Sequence, residues 1–221
     1  MTTETKSAIR RVSPVCFAAA PGESEDRDGW QVVTRYENEG EEGPWLVDLS
    51  HRPRWDVQDG HVDALRPGGV SVPQEAGQCR LQDGLLINRM NRTQAAVWHL
   101  AGATDGMPAE AAYTDVGEAT LMLALFGPQT LRICEKLSAL DLAGLQRRPP
   151  FLVQGPLAHV PCQIVVAQRN SGDFGGGILW TCSRGYGRSM VHAVLDAGRE
   201  FGLRPAGEQR FTDWLPSLSS D

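Results

Sequence analysis

The first clear periodicity lies in QVVTRY (31–36), where apolar and polar side chains alternate as in a strand with one exposed face. Acidic, glycine-rich segments flank it, PGESEDRDGW (21–30) and YENEGEEGP (36–44), and both read as loops. In PWLVDLSHRPRWDVQDG (44–60), Trp45, Val47 and Leu49 share one face while Asp48 and Ser50 point the other way, so the β pattern continues until Pro53 breaks the ladder or marks an edge. Turn signals crowd residues 66–84 (RPGG, QEAGQ, QDG), and LLIN (85–88) follows as a short buried strand. From Thr93, the spacing of Ala96, Val97 and Leu100 predicts a short helix capped by Gly102. The polar run Asn88, Asn91, Arg92, Thr93, Gln94 then falls at a strand-to-helix junction.

Farther along, ATLMLALFGP (119–128) is apolar without alternation, a strand buried on both faces. Gly127-Pro128 leads into the helix TLRICEKLSALDL (130–142), with Pro128 in its first turn and Leu131, Cys134, Leu137 and Leu140 as its inner stripe. The paired prolines of QRRPPFLVQGP (146–156) mark a hinge near residue 150. Beyond it, PCQIVVAQR, the glycine-dense SGDFGGG (171–177) and ILWTCS form a hairpin with an open tip. A helix starts at Gly187 or Ser189, carries the stripe Met190, Val191, Val194, Leu195 and Ala197, and stops at Gly202. The pattern divides the chain into a flexible N-terminal segment (1–29), a first α+β lobe (30–150) and a second α+β lobe of hairpin plus helix (151–221).

Composition narrows the chemistry. The 221 residues carry a formal charge of −6, which disfavours a phosphate-backbone binder and excludes nucleic acid as the expected partner. SRGYGRS (183–189) is the short arginine-bearing run that stands out, and it also reads as a solvated helix start. Five cysteines, widely spaced and without a C-x-x-C pair, signal neither a disulfide framework nor a zinc site. They point to a reducing compartment, the cytoplasm; no signal-peptide core or membrane span is read, since Pro14 interrupts the only early apolar run. His51, His61, His99, His159 and His192 lack ligand spacing, so no metal site is expected. No G-x-S-x-G elbow is present, and the GGG at 175–177 lies between strands without the Lys-Ser/Thr of a phosphate loop. Two features remain as candidates: the cluster at Asn88–Gln94 and Asp173 among its glycines.

The segments LVDLSH, LLINRMNRTQAAVW, LMLALFGPQTL, SGDFGGGIL and AGREFGLRPAGEQRF, in that order, resemble the tetrahydrofolate-binding family. That family includes the T-protein (aminomethyltransferase) of glycine cleavage, the iron-sulfur-linked folate-binding proteins and sarcosine oxidase subunits. Its members tend to show D-x-S-H, V-N-A-x-x-x-E-K-D-L, L-A-L-Q-G-P, T-G-E-D-G-F-E-I and A-G-x-x-x-G-L-x-P-A-G. The resemblance, from about Trp30 to Phe211, implies an α+β body of antiparallel sheets with flanking helices and tetrahydrofolate in a central channel. The C-terminal barrel of T-protein is missing from this sequence, whose size is nearest the sarcosine oxidase γ subunit. Laid without gaps from Asn88, the catalytic Asp falls on Ala95, implying that T-protein catalysis is lost. The two acidic residues of the pterin motif fall on Asp173 and Gly177. TCSRGYGRS departs from the K-G-C-Y-x-G-Q signature, so no reactive role is implied for Cys182.

The resulting expectation is a folate-type binding module, a subunit or accessory of a one-carbon or amine-oxidising system or a homo-oligomer, with a small-molecule reduced folate as ligand. Asn88, Met90 and Val97 are expected to line its pocket, Asp173 to read the pterin edge, and Arg184 with Tyr186 to stand near the entrance. The rival expectations are a tetrahydrofolate-dependent methyl or methylene transferase using Asp173, Asp48 or a substrate group, and a structural subunit with no ligand.

Overall fold

The computed structural model describes residues 10–102, 104, 106–144, 146–169 and 175–218. Thirteen strands and three α-helices occur among them. The first hairpin pairs β1 (Pro21–Arg27) with β2 (Trp30–Tyr36). A five-stranded antiparallel sheet contains β4 (Arg54–Gln58), β5 (Cys79–Gln82), β6 (Leu85–Asn91), β7 (Gln94–His99) and β8 (Tyr113–Asp115) in the order β5-β6-β7-β4-β8. A six-stranded sheet combines β3 (Trp45–Asp48), β9 (Thr120–Gly127), β10 (Phe151–Leu157), β11 (Val160–Arg169), β12 (Gly176–Ser183) and β13 (Arg204–Ala206) in the order β10-β11-β12-β9-β3-β13. It is antiparallel except where β13 joins β3. Helices α1 (Thr130–Leu137), α2 (Gly187–Gly198) and α3 (Glu208–Trp214) complete the chain. The expected α+β class, antiparallel sheets flanked by helices, is what the chain adopts.

The layers follow from side-chain alternation. Leu121, Leu123 and Leu125 of β9 face α1 and α2, packing with Ile133, Met190 and Val194. Met122, Ala124 and Phe126 of the same strand face the five-stranded sheet and meet Leu86, Ala96 and Trp98. The outer face of the five-stranded sheet is covered by the segment 62–72, whose Val62, Val70 and Val72 pack on Trp55, Ile87, Ala95 and Val97. The six-stranded sheet takes β3 and β9 from before residue 150 and its other four strands from after it, so hydrogen bonding runs across the expected hinge.

Four local expectations change. The segment from Thr93 is strand β7, not a helix: Ala95 and Val97 face one core and Ala96 and Trp98 another, so both faces are apolar and the period of two is hidden. The polar run before it closes the β6–β7 hairpin, with the Thr93 N–H donating to Asn91 Oδ1 at 2.9 Å. PGESEDR is strand β1 rather than a loop; Asp28 and Gly29, with φ of 51° and 82°, form the two-residue turn that D-G pairs favour between strands. Within the segment expected to be flexible, Val15 and Phe17 are buried in the core. Finally, α1 begins at Thr130 after Gln129 in a left-handed conformation, leaving Pro128 outside its first turn; it ends at Leu137, and Leu140 packs on the core from beyond the helix.

Candidate functional site

The strand β3 leaves its sheet at Asp48, and the turn Leu49-Ser50-His51-Arg52-Pro53 carries the chain to β4. Asp48 shapes that turn, accepting from the Ser50 N–H at 2.9 Å and from Ser13 Oγ at 2.5 Å. Arg54, fully buried, locks it from beneath: its guanidinium donates to the carbonyls of Arg52 at 2.6 Å, Gly117 at 2.5 Å and Thr120 at 2.9 Å. Burial pushes the Arg54 pKa down to about 10 against the pull of Asp48 and Asp115.

The turn delivers His51 and Arg52 to a buried carboxylate, Glu208, at the start of α3. Glu208 Oε1 meets His51 Nε2 at 2.7 Å and Arg52 Nη2 at 2.5 Å, and Oε2 accepts from Arg27 Nη1 at 2.5 Å. Burial by itself would raise the Glu208 carboxyl, but the His51 hydrogen bond and the charges of Arg52, His51 and Arg27 outweigh it and hold the pKa at about 2. Arg52, only 5% exposed, keeps one buried donor, Nε, without a hydrogen-bond acceptor.

Arg27, His51 and Arg52, held by Glu208 from behind, border a cleft of about 470 Å³. Trp30 and Trp55 give it aromatic walls, Arg11 and Arg27 basic ones, and Asp28, Asp115 and Glu118 acidic ones. The segment after β7 runs along the far side, contributing Gly102, Thr104 and Gly106. Gly102 is required there: its φ is +84°, and a Cβ would fall 1.9 Å from Arg52 Nη1. A second cavity of about 440 Å³ shares Trp55, Ala101, Thr104 and Gly106 with the first. Such an arrangement can hold a flat, partly anionic molecule between indoles and guanidinium groups. No group of three potential metal ligands occurs among the described residues.

No family model matches the chain. An aminomethyltransferase of Geobacillus thermodenitrificans is 29% identical over 210 positions, covering 81% of this chain and 55% of the relative. The heterotetrameric sarcosine oxidase of Corynebacterium sp. U-96, in complex with pyrrole 2-carboxylate, superposes with a TM-score of 0.56 at 18% identity, covering 71% of this chain and 84% of that one. The glycine cleavage system aminomethyltransferase T of Bartonella henselae gives 0.52 at 14% identity, covering 86% and 57%. The chain has the T-protein fold. It spans about half the length of the curated aminomethyltransferase it matches.

Within that T-protein fold the expected site residues do not converge. Asn88 and Met90 of β6 lie together, facing the layer between the sheets; the Asn88 side chain is fully buried with neither amide atom hydrogen-bonded. Val97 faces the opposite side of the sheet, against Trp55 and Val57. Asp173 lies outside the described residues. Beside its hairpin, the Trp214 indole fills the space over β12: a Cβ on Gly177 would come 2.0 Å from Trp214 Cζ2, and the ring stacks on Phe126 at 4.5 Å while donating to Gln168 Oε1 at 3.0 Å. Arg184 and Tyr186 follow the far end of β12, about 25 Å from that hairpin at the usual strand rise. There Arg184 donates to the Val12 carbonyl and Tyr186 is exposed.

The placement of the catalytic position on Ala95 comes from laying the motif without gaps from Asn88, within β6. Ala95 is fully buried in the middle of β7, on the face packed by the 62–72 segment. The chain that leaves β7 borders the cleft through Ala101 and Gly102. Laid with its Val on Val97 and its Asn position on Trp98, the T-protein motif brings its Asp position to Asp105, and Val97 and Asp105 are the positions that match. Asp105 itself is outside the described residues, but its neighbours Thr104 and Gly106 both line the cleft. Arg27, Arg52, Trp55 and Glu208 escaped the sequence reading, although Glu208 stands in RPAGEQRF and Arg52 directly follows LVDLSH.

Proposed function

We propose that this chain is a reduced-folate-binding module of the T-protein fold, working as a subunit or accessory of a one-carbon, amine-oxidising system. The observation that carries the reading is the cleft at Trp55, His51 and Arg52, with its buried Arg52 Nε lacking an acceptor. A reduced folate has a flat heterocycle and carboxylates. The residues present fit it: the indoles of Trp30 and Trp55 suit the rings, and Arg11, Arg27 and Arg52 suit the acids. In this reading Glu208 keeps Arg52 and His51 at the inner end, and Gly102 lets the wall close on Arg52. The subunit role is supported by the fold shared with a chain of a heterotetrameric oxidase, most of whose length is covered. Its compartment is the cytoplasm, where five free thiols persist.

A second reading, a tetrahydrofolate-dependent transferase, is favoured by the motif register that falls on Asp105, between Thr104 and Gly106 of the cleft lining. Asp105 would hold the amine of the one-carbon donor, and Asp105→Asn would abolish demethylation of an added donor while leaving folate binding intact. The test of the first reading is thermal unfolding with a series of reduced folates. A hundredfold excess over Kd adds about 2.7 kcal/mol, a rise of roughly 5–10 °C in a chain of this size. Arg52→Gln should remove the rise and Asn88→Leu should keep it. No rise with any reduced folate would leave the structural-subunit reading, and a rise untouched by Arg52→Gln would move the ligand out of the cleft.

A further inference from the structure

Cys162 on β11 and Cys182 on β12 stand across from one another. The register of the two strands pairs Gln163 with Thr181, and one step farther along the antiparallel ladder brings the two cysteines opposite. Both side chains point to the helix-covered face, in the core that contains Ile164 and Trp180. Residues directly opposite in an antiparallel pair have Cα atoms about 4.5 or 5.5 Å apart, inside the roughly 4.4–6.8 Å range of disulfides. Closing an S–S bond therefore requires a side-chain adjustment and no strand movement. Cys16, Cys79 and Cys134 sit on separate elements, with Cys16 exposed.

We propose that Cys162 and Cys182 form an oxidisable dithiol, a modification site that a low-molecular-weight disulfide converts to a cross-strand disulfide. Cys162 Sγ donates to the Val160 carbonyl at 3.2 Å, and the proximity of the two thiols lowers the Cys162 pKa and raises that of Cys182. Cys162 is the first nucleophile. Its thiolate attacks one sulfur of the small disulfide RSSR, forming a mixed disulfide and expelling RS⁻. Cys182 gives its proton to that RS⁻ and attacks Cys162 Sγ, expelling a second thiolate, which takes the proton first lost by Cys162. The protein dithiol is oxidised and RSSR is reduced to two RSH. The pair is 6% and 5% exposed, but the strands meet solvent nearby at Pro161 and Ser183, so local opening at that end of the hairpin admits the reagent.

The experiment treats the reduced full chain with oxidised glutathione, in wild type and in Cys16→Ser to suppress links between molecules. Free-thiol counts, intact mass and peptide mapping after alkylation are then read. The expected result in Cys16→Ser is the loss of two thiols, with one Cys162–Cys182 peptide, a mass lower by two hydrogens, and an unfolding midpoint raised by roughly 5–10 °C that dithiothreitol reverses; wild type gives the same peptide and loses the exposed Cys16 thiol in addition. Persistence of both thiols, glutathione retained on either cysteine without closure, or linkage to Cys79 or Cys134 would overturn the proposal. Cys182→Ser provides the second check: it should stop at a glutathione adduct on Cys162, and failure to trap that adduct removes Cys162 as the attacking thiol.

Discussion

Replacing Glu208 by Gln keeps the shape of the side chain and removes its charge from between Arg52, His51 and Arg27. A carboxyl whose pKa falls from 4.5 to about 2 on folding gains roughly 3 kcal/mol at neutral pH, at about 1.4 kcal/mol per pKa unit. Removing one partner from a buried pair costs about 3–5 kcal/mol by a separate route, because the remaining charge is left desolvated. That applies fully to Arg52, whose side chain is 6% exposed, and less to Arg27, which is 39% exposed and keeps Glu25 at 2.7 Å. The expected loss is therefore about 3 kcal/mol at pH 7, or roughly 10 °C in Tm. The depressed folded pKa fixes the sign: the contribution is complete above pH 4.5 and fades as pH falls toward 2. Urea unfolding of both proteins between pH 7 and pH 2.5 measures it. Wild type and Glu208→Gln should differ most at neutral pH and converge in acid. A difference below about 0.5 kcal/mol at pH 7, or one independent of pH, would refute the account of the cluster.

Gly102→Ala places a methyl group against Arg52 at a positive φ, and should cost about 2 kcal/mol in urea unfolding while abolishing the folate-induced rise in Tm. Asn88→Leu exchanges a buried, unpaired amide for a hydrocarbon of similar size, so stability should be unchanged or higher by up to about 1 kcal/mol; a loss above that would mean the amide is satisfied in solution. Ala95→Asp buries a carboxylate among Val57, Val62 and Val97 and should cost about 4 kcal/mol at pH 7, less as pH falls toward 4 because burial raises the folded pKa above the unfolded one, with no gain of aminomethyl transfer.

Much of the fold was legible because its strands announce themselves at their ends. QDG and RDG both specify tight two-residue hairpins, yet only QDG was read as a turn signal, because the acidic residues of PGESEDR masked a strand whose side chains are almost all exposed. The third tight turn, Ala158-His159, adopts φ of 49° and 66° without glycine, aspartate or asparagine, so no residue type marks it. Strand β7 failed for the opposite reason. With apolar groups on both faces and two alanines in succession, AAVW satisfies helical and extended spacing alike, and only its pairing with β4 and β6 decides.

That single error carried the candidate site with it. A helix at Thr93 turns Asn88–Gln94 into a site mouth; the hairpin instead buries Asn88 within β6, leaves residues 91–93 as its turn end and moves the exit of the strand to His99. The groups that build the cleft are far apart in sequence: Arg27 ends β1, Arg52 follows β3, Gly102 follows β7 and Glu208 opens α3. Each by itself reads as an ordinary surface charge or turn glycine, and charge patterning treats Glu208 as a solvated helix start. What distinguishes them is burial, which arises from packing α3 and the first hairpin over the β3 exit. A buried carboxylate holding two guanidinium groups is costly unless its geometry is fixed. The turn locked by Asp48 and Arg54 supplies that fixity, so the parts of LVDLSH that the sequence exposed as a motif act by aiming the arginine that the motif does not include.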